Sequence, residues 1–455
     1  MESQRLQRFL GTLWHDLGGR PGITSTLQLT DPGDLPSVFA VSDFAAAAVA
    51  AAGAAVAELL SPPIPRLIVS KRLASLWFGW SIRPDGWKMP APWDPIAGDY
   101  AASDGWIRLH TNAPHHRAAA LAVLETGATK DEVGRAVAGW KASELESAVV
   151  ERGGCAAALK TTREWQEHPQ GRAVSAEPTV AIRETDDASP SRWVPSPVRP
   201  LGGLKVLDLT RVLAGPVATR FLAGFGAEVL RIDPPAWDEP GVIPEVTLGK
   251  RCARLDLRDT AARSQFTQLL AAADVLVHGY RADALEGLGF GTEVRRKIRP
   301  GLIDVSLNAY GWSGPWRNRR GFDSLVQMSS GIAAAGMHLL QKDRPTPLPV
   351  QALDHVAGYV MAAAVIRGLT QRLRTGKGFE ARTSLARTAQ LLIDGETGTR
   401  PDELQPAADA DYSPSQEMTG FGPALRLRSP LQVGSTALHW DRPAAQLGSS
   451  PPVWT

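Results

Sequence analysis

Short apolar runs alternate with amphipathic stretches along the second half of the chain. KVLDLT from Lys205 reads as a buried strand, VATRFLAGFG from Val217 as a helix closed by glycine, and AEVLRID as a second strand. RDTAARSQFTQLLAAA continues as a helix, and DVLVHGY and GLIDVSLNAY follow as a third and a fourth strand. Strand and helix in turn predict a parallel sheet with helices on both faces, an α/β fold. The first half is less regular. FAAAAVAAAGAAVAELL, residues 44–60, is apolar all round, which predicts a closely packed, buried helix. Its length approaches a membrane span. Asp43 and Glu58 bracket it, however, and alanine is only weakly hydrophobic, so no membrane segment is expected.

Punctuation divides the chain further. A polar lead covers residues 1–35. Residues 36–97 carry the alanine-rich helix, the strand RLIVS and a Trp/Pro run ending WKMPAPWDP. Residues 98–182 read as a smaller α+β domain with the strand DGWIRLHTN at its start. Residues 183–200, rich in charge, Ser and Pro, read as a linker. The α/β domain takes residues 201–395, and a closing tail residues 396–455. The order also echoes itself. SDFAAAAVAAAGAAVAELL resembles LDHVAGYVMAAAVIRGLT, with Asp43 over Asp354, and downstream Leu73 and Ala74 fall over Leu385 and Ala386. An aspartate, a helix and a strand in shared order predict that residues 36–97 partly repeat the Asp354 unit.

Asp354 is the position with the sharpest chemistry. It heads the apolar segment QALDHVAGYVMAAAVIRGL, and Pro347 and Pro349 block helix upstream. A carboxylate there is either an N-cap or a nucleophile held ionised by the helix dipole, and the two are compatible. Asp43 in the echo reads as a structural cap. His115 and His116 are adjacent without ligand-spaced Cys or carboxylate, so they read as surface or packing groups and no metal site is expected.

Composition removes other classes. A net charge of +2 gives no bulk case for nucleic acid or an acidic membrane surface, so an anionic ligand needs a local basic cluster. Two cysteines, Cys155 and Cys252, make neither a disulfide framework nor a zinc quartet, which fits a cytoplasmic protein. The first turn of the α/β domain, TRVLAGP, has one glycine where a dinucleotide fold carries three, and Asp233 at the end of the second strand is half a fingerprint. A nicotinamide dehydrogenase is therefore not expected.

LDLTRVLAGPVATRFLAGFGAEVLRIDPP closely resembles the opening of the family III CoA-transferases, the carnitine-dehydratase and bile-acid-inducible (CaiB/BaiF) group. GKRCARLDL, ADVLVHGYRADALEGLGF, GWSGPW, GFDSLVQMSSG and LDHVAGYVMAAAVIRGLTQRLRTGKG follow in the family's order. GDYAASDGWIRLHTN, GGCAAALKTTREWQEHPQG and the tail resemble the smaller domain and closing segment, here in permuted order. The resemblance implies a nucleotide-binding-like parallel-sheet domain, and transfer of CoA between carboxylic acids through an aspartyl-CoA thioester. Asp354 stands at the nucleophile position. Backbone amides of Val212, Leu213 and Ala214 are candidate oxyanion donors, and Arg211, Lys250, Arg251, Tyr280 and Arg281, read as lying in loops near strand ends, match positions around which the family gathers CoA contacts. No cofactor is bound permanently; CoA and acyl-CoA enter as substrates, with no nucleic acid or membrane partner. Family members form interlocked dimers, which makes a homodimer an expectation.

The chain departs from the family in places. Leu213 stands where transferases often carry glutamine, and Gly279 and Gly287 where the family often has asparagine and arginine. A glycine-rich flap is expected where this chain reads IRPDGWKMPAPWDPIAG. Related α-methylacyl-CoA racemases use a Gly-His-Asp histidine opposite the aspartate. The chain has Gly321-Phe322-Asp323, which leaves His355 and His338 as the substitutes and makes a racemase the second expectation. A non-catalytic acyl-CoA binder is the third.

Overall fold

The computed structural model describes residues 2–187, 193–281, 283–395 and 403–455. β1 (Leu27–Thr30) and β2 (Leu67–Ser70) flank the alanine-rich helix Val41–Leu60, and the short helix Lys71–Trp77 follows. β3 (Ile82–Pro84) leads through the Trp/Pro run into the smaller domain. There β4 (Gly98–Ala102), β5 (Gly105–Leu109) and β6 (Ala156–Ala158) form an antiparallel sheet, with helix Pro114–Leu124 among its covering helices. β7 (Ala181–Asp187) precedes the α/β domain. That domain comprises β8 (Lys205–Leu209), β9 (Glu228–Asp233), β10 (Lys250–Arg254), β11 (Val275–His278), β12 (Ile303–Asn308) and β13 (Lys377–Ser384). The tail adds β14 (Glu417–Thr419), β15 (Gly422–Arg426) and β16 (Leu431–Val433).

The main sheet has seven strands in the order β10-β9-β8-β11-β12-β13-β7. All are parallel except β7, which runs antiparallel along β13. The α/β expectation holds, and the strand order reverses between β8 and β11, as in a doubly wound sheet. Two sequence expectations change. The start of the expected linker, residues 183–187, lies in β7, because pairing with β13 covers that strand's outer edge; residues 188–192 of the linker are outside the described residues. Residues 250–254 form a strand rather than a loop. Their charge hides an edge strand that parallel pairing with β9 secures.

The two apolar helices, Val41–Leu60 and Ala352–Thr375, are long enough to span a bilayer by length and composition, yet both are buried inside the protein, packed on one another. Alanine and glycine let their backbones come close. The echo in the sequence has a structural counterpart. Asp43 and Asp354 are each the third residue of their helix, after N-caps of nearly the same backbone, φ −77° and ψ 58° at Ala40, φ −77° and ψ 65° at Gln351. β2 pairs parallel with β1 and antiparallel with β16, as β13 does with β12 and β7. Ser70 and Ser384 each end their strand and cap the next helix. This cap-to-cap match places Lys71, not Leu73, over Leu385.

Candidate functional site

A cleft of about 390 Å³ opens at the carboxyl ends of the parallel strands, where β8 and β11 part. Loops after four strands line it: Thr210–Val212 after β8, Gly279–Arg281 after β11, Ala309 after β12 and Leu385 after β13. His115 and His116 on helix Pro114–Leu124 of the smaller domain, and the stretch from Arg319 to Phe322, complete it. Asp354 lies on its wall. Crevices at such reversals are where doubly wound sheets bind ligands, because helix amino-termini and flexible loops converge there.

Asp354 sits in the first turn of helix Ala352–Thr375, whose N-cap is Gln351, so it is not the cap. It is 8% exposed. Asp323, the first residue of helix Asp323–Ser329, accepts the Asp354 amide at 2.9 Å and also bonds Gln327, whose Oε1 takes the Leu348 amide at 2.7 Å. Thus Asp323 does from a neighbouring helix what a cap would do locally. Burial and the nearby Asp323 carboxylate push Asp354 well above the ordinary carboxylate range. Burial raises Asp323 too, to about 6, against hydrogen bonds that lower it. A Cβ at Gly358, one turn on, would stand 2.5 Å from the Ala214 carbonyl; glycine there lets the Asp354 helix meet the start of helix Ala214–Gly224.

That helix begins three residues before the expected Val217, placing Leu213 at its N-cap and Ala214 and Gly215 in its first turn. Val212 has φ 63°, a left-handed conformation that costs a β-branched residue about 1–3 kcal/mol. Its amide donates to Glu239 at 2.9 Å, and Trp237 Nε1 and Arg231 hold the same carboxylate. Val212 is therefore not a vacant oxyanion donor, which corrects that expectation; Leu213 and Ala214 keep the helix-start position.

The expected CoA contacts divide. Arg211 donates to the Tyr280 hydroxyl at 2.9 Å and lies over the Trp237 and Tyr280 rings; with Arg281 both face the cleft. Lys250 and Arg251 do not. They begin β10, at the opposite end of the parallel sheet from the cleft. Lys250 is buried against Asp208 and the Pro216 carbonyl, each at 2.9 Å. Arg251 binds Glu228 at 3.2 Å and the Val453 carbonyl at 2.6 Å. Asp233 is likewise occupied, by Arg231 at 2.8 Å.

Sequence reasoning missed four lining cations and imidazoles. Arg319 is tied to Glu146 at 2.7 Å and stacks on Trp316, whereas Arg320 is exposed. Burial lowers both His115 and His116, the latter to about 3, so both are neutral at pH 7. The adjacent basic pairs RR and HH are the only signal, and surface charge gives the same one. Phe322, in place of the racemase histidine, stacks on His110 at 3.7 Å. His355 is turned away, stacked on Phe78 at 4.7 Å, and His338 lies in the last turn of helix Ile332–Leu339. Asp43 differs from its counterpart in facing a cation: Lys71 bridges it at 2.8 Å and Asp34 at 3.0 Å.

Sheet order and a carboxylate-bearing cleft at the switch point define a doubly wound α/β fold with a candidate ligand site. Residues 201–414 match the model of CoA-transferase family III. Through this region the chain is similar to that family. It is 34% identical over 225 residues to the acetyl-coenzyme A transferase nodX of Hypoxylon pulicicidum, covering 47% of this chain and 38% of that protein. It is 34% identical over 196 residues to the succinyl-CoA:glutarate CoA-transferase of Homo sapiens, covering 40% and 44%. A crystal structure of a hypothetical protein from Mycobacterium tuberculosis aligns at 30% identity and a TM-score of 0.40, over 44% of this chain and 58% of the other. The chain spans about half the length, or less, of the curated relatives it matches.

Proposed function

We propose that this protein moves CoA between two carboxylic acids, with Asp354 as the nucleophile. The observation that carries the reading is a buried carboxylate, made more basic by burial and Asp323, on the wall of a switch-point cleft that Arg211, Tyr280 and Arg281 also line. The named transferase activities of the relatives support it. In this reading Arg211, Arg281 and Arg320 meet the phosphates of CoA, and Tyr280 borders its adenine. The substrates are an acyl-CoA and a free acid, without a permanent cofactor, in the cytoplasm.

The ionised Asp354 attacks the thioester carbonyl, and the CoA thiolate leaves with the bonding pair, giving a mixed anhydride. The thiolate then attacks the aspartyl carbonyl and expels the first acid as its carboxylate. The acceptor carboxylate attacks the aspartyl-CoA thioester, and the same two steps run in reverse. Each tetrahedral oxyanion forms beside the amides of Leu213 and Ala214 at the positive end of a helix. Raised basicity strengthens the nucleophile once it is ionised, so turnover increases with pH as Asp354 gives up its proton.

Incubation with acyl-CoA, hydroxylamine trapping and mass spectrometry tests the reading. A hydroxamate confined to Asp354 is expected; labelling elsewhere, or none during turnover, refutes it. Exchange of the α-proton, a racemase-type reaction, is the second reading, because His115 and His116 share the cleft with Asp354. Deuterium entering the α-carbon without any adduct selects it.

A further inference from the structure

The Trp/Pro run before the smaller domain has no part in the scheme so far. Ala91, Pro92, Trp93 and Asp94 from that run wall a second cavity of about 210 Å³, and Val212, Trp237 and Phe322 line both this cavity and the Asp354 cleft. The two spaces are therefore neighbours across three shared side chains. The facing wall is the loop from Trp237 to Val242. A Cβ at Gly241 would stand 2.6 Å from the Pro92 Cα and 2.7 Å from the Ala91 carbonyl, so glycine lets the two walls close together.

We propose that this side pocket holds the organic part of the transferred acid, and that it selects a flat, aromatic monocarboxylic acid over a dicarboxylic one. The inference rests on the CoA-transfer reading and names its substrate class. The walls are rings. Phe322 and His110 stack with planes 12° apart, and Trp93 meets His110 edge-on at 5.8 Å. Trp237 stands on the other side. Aromatic groups pair at such separations in stacked or edge-to-face geometry, and a flat ring of the substrate extends the series. Burial lowers His110 to about 3, so it joins the wall as a neutral ring.

Charge gives the second half of the argument. Among the described residues no Lys or Arg lines this cavity; its ionisable side chains besides His110 are Asp94, Asp238 and Glu239. Asp94 is held by Thr111 at 2.7 Å and Arg117 at 3.4 Å, and Glu239 by Arg231, Trp237 and Val212. Asp238 is exposed. A second carboxylate on the acid would face Asp94, Asp238 and Glu239. The guanidiniums behind this lining, those of Arg117, Arg231, Arg108 and Arg211, are already engaged with Asp94, Glu239, Trp93 and Trp237. An aromatic ring meets no such repulsion.

Binding and turnover are measured separately on the full chain. Quenching of tryptophan fluorescence reports binding of phenylacetate and of succinate without CoA. Mass spectrometry of CoA esters reports transfer from acetyl-CoA to each acid. Phenylacetate is expected to bind at least about tenfold more tightly and to show at least about a hundredfold higher kcat/KM. Trp93→Arg, at a side chain already 37% exposed, is expected to shrink both ratios at least about tenfold, with an unchanged melting temperature confirming the fold. Equal or tighter binding of succinate by the parent protein, or an unchanged ratio in Trp93→Arg, overturns the inference. If succinate is also the faster acceptor, CoA transfer stands and only the substrate class falls. Selective phenylacetate binding with no transfer to any acid and no adduct on Asp354 refutes the transfer reading, and the inference with it.

Discussion

Replacing Asp323 by Asn tests the electrostatic tuning of Asp354. The amide keeps an oxygen to accept the Asp354 N–H, now at 2.9 Å, gives up the acceptor for Gln327 Nε2, and removes one of two neighbouring charges. Burial raises Asp323 from 3.8 to about 6 in the folded protein. A carboxyl group whose folded value is raised stabilises the fold most fully below its unfolded value, and that contribution is lost as pH rises through the folded one. The difference, about 2 pH units, corresponds to about 2 kcal/mol between pH 4 and pH 8, where the unfolded group is already partly ionised at the lower limit. Chemical denaturation at a series of pH values is therefore expected to give a stability loss between pH 4 and 8 that is at least about 2 kcal/mol smaller in Asp323→Asn than in the parent. Asp354 also shifts, since one of its two raising causes is gone, although its larger cause, burial, remains. The acid limb of the pH–rate profile is expected at lower pH in the variant. An unchanged pH dependence of stability, or an acid limb that stays in place while activity persists, would refute the coupled-carboxylate argument.

Asp354→Asn is expected to reduce transfer by about a thousandfold or more while retaining the fold, checked by steady-state rates beside a melting curve. Lys250→Met and Arg281→Ala should separate a structural cation from a ligand contact. The first leaves Asp208 buried without its ion pair and costs about 3–5 kcal/mol of stability; the second leaves the melting temperature in place and raises KM for CoA about tenfold. Gly358→Val drives a side chain into the Ala214 carbonyl, and is expected to cost about 1–3 kcal/mol by denaturant titration and to lower kcat by displacing the Leu213 turn from Asp354.

Much of the frame was legible in the amino-acid order. Alternating apolar runs located four of the six parallel strands directly, and the apolar helices at residues 44–60 and after Asp354 declared themselves by composition. The charged strand Lys250–Arg254 did not, because its stability comes from pairing with β9 rather than from an apolar pattern. β7 was hidden for the same reason within a stretch that resembles a linker. Of the residues picked from motif positions, Asp354, Arg211, Tyr280 and Arg281 line one cleft, while Lys250 and Arg251 lie away from it. Spacing along the chain does not say at which end of a sheet a side chain emerges.

By itself, then, the sequence determined the α/β class and the Asp-headed buried helix, since periodicity and local sterics act over a few residues. Tertiary structure decided what surrounds Asp354. It set Asp323 beside it, turned Lys250 toward Asp208, brought His115 and His116 across from the smaller domain, and folded Trp93 against the Trp237 loop. Those neighbours come from positions far apart in the chain, and their effect on a buried carboxylate is through space, where distance and burial rather than order set the energy.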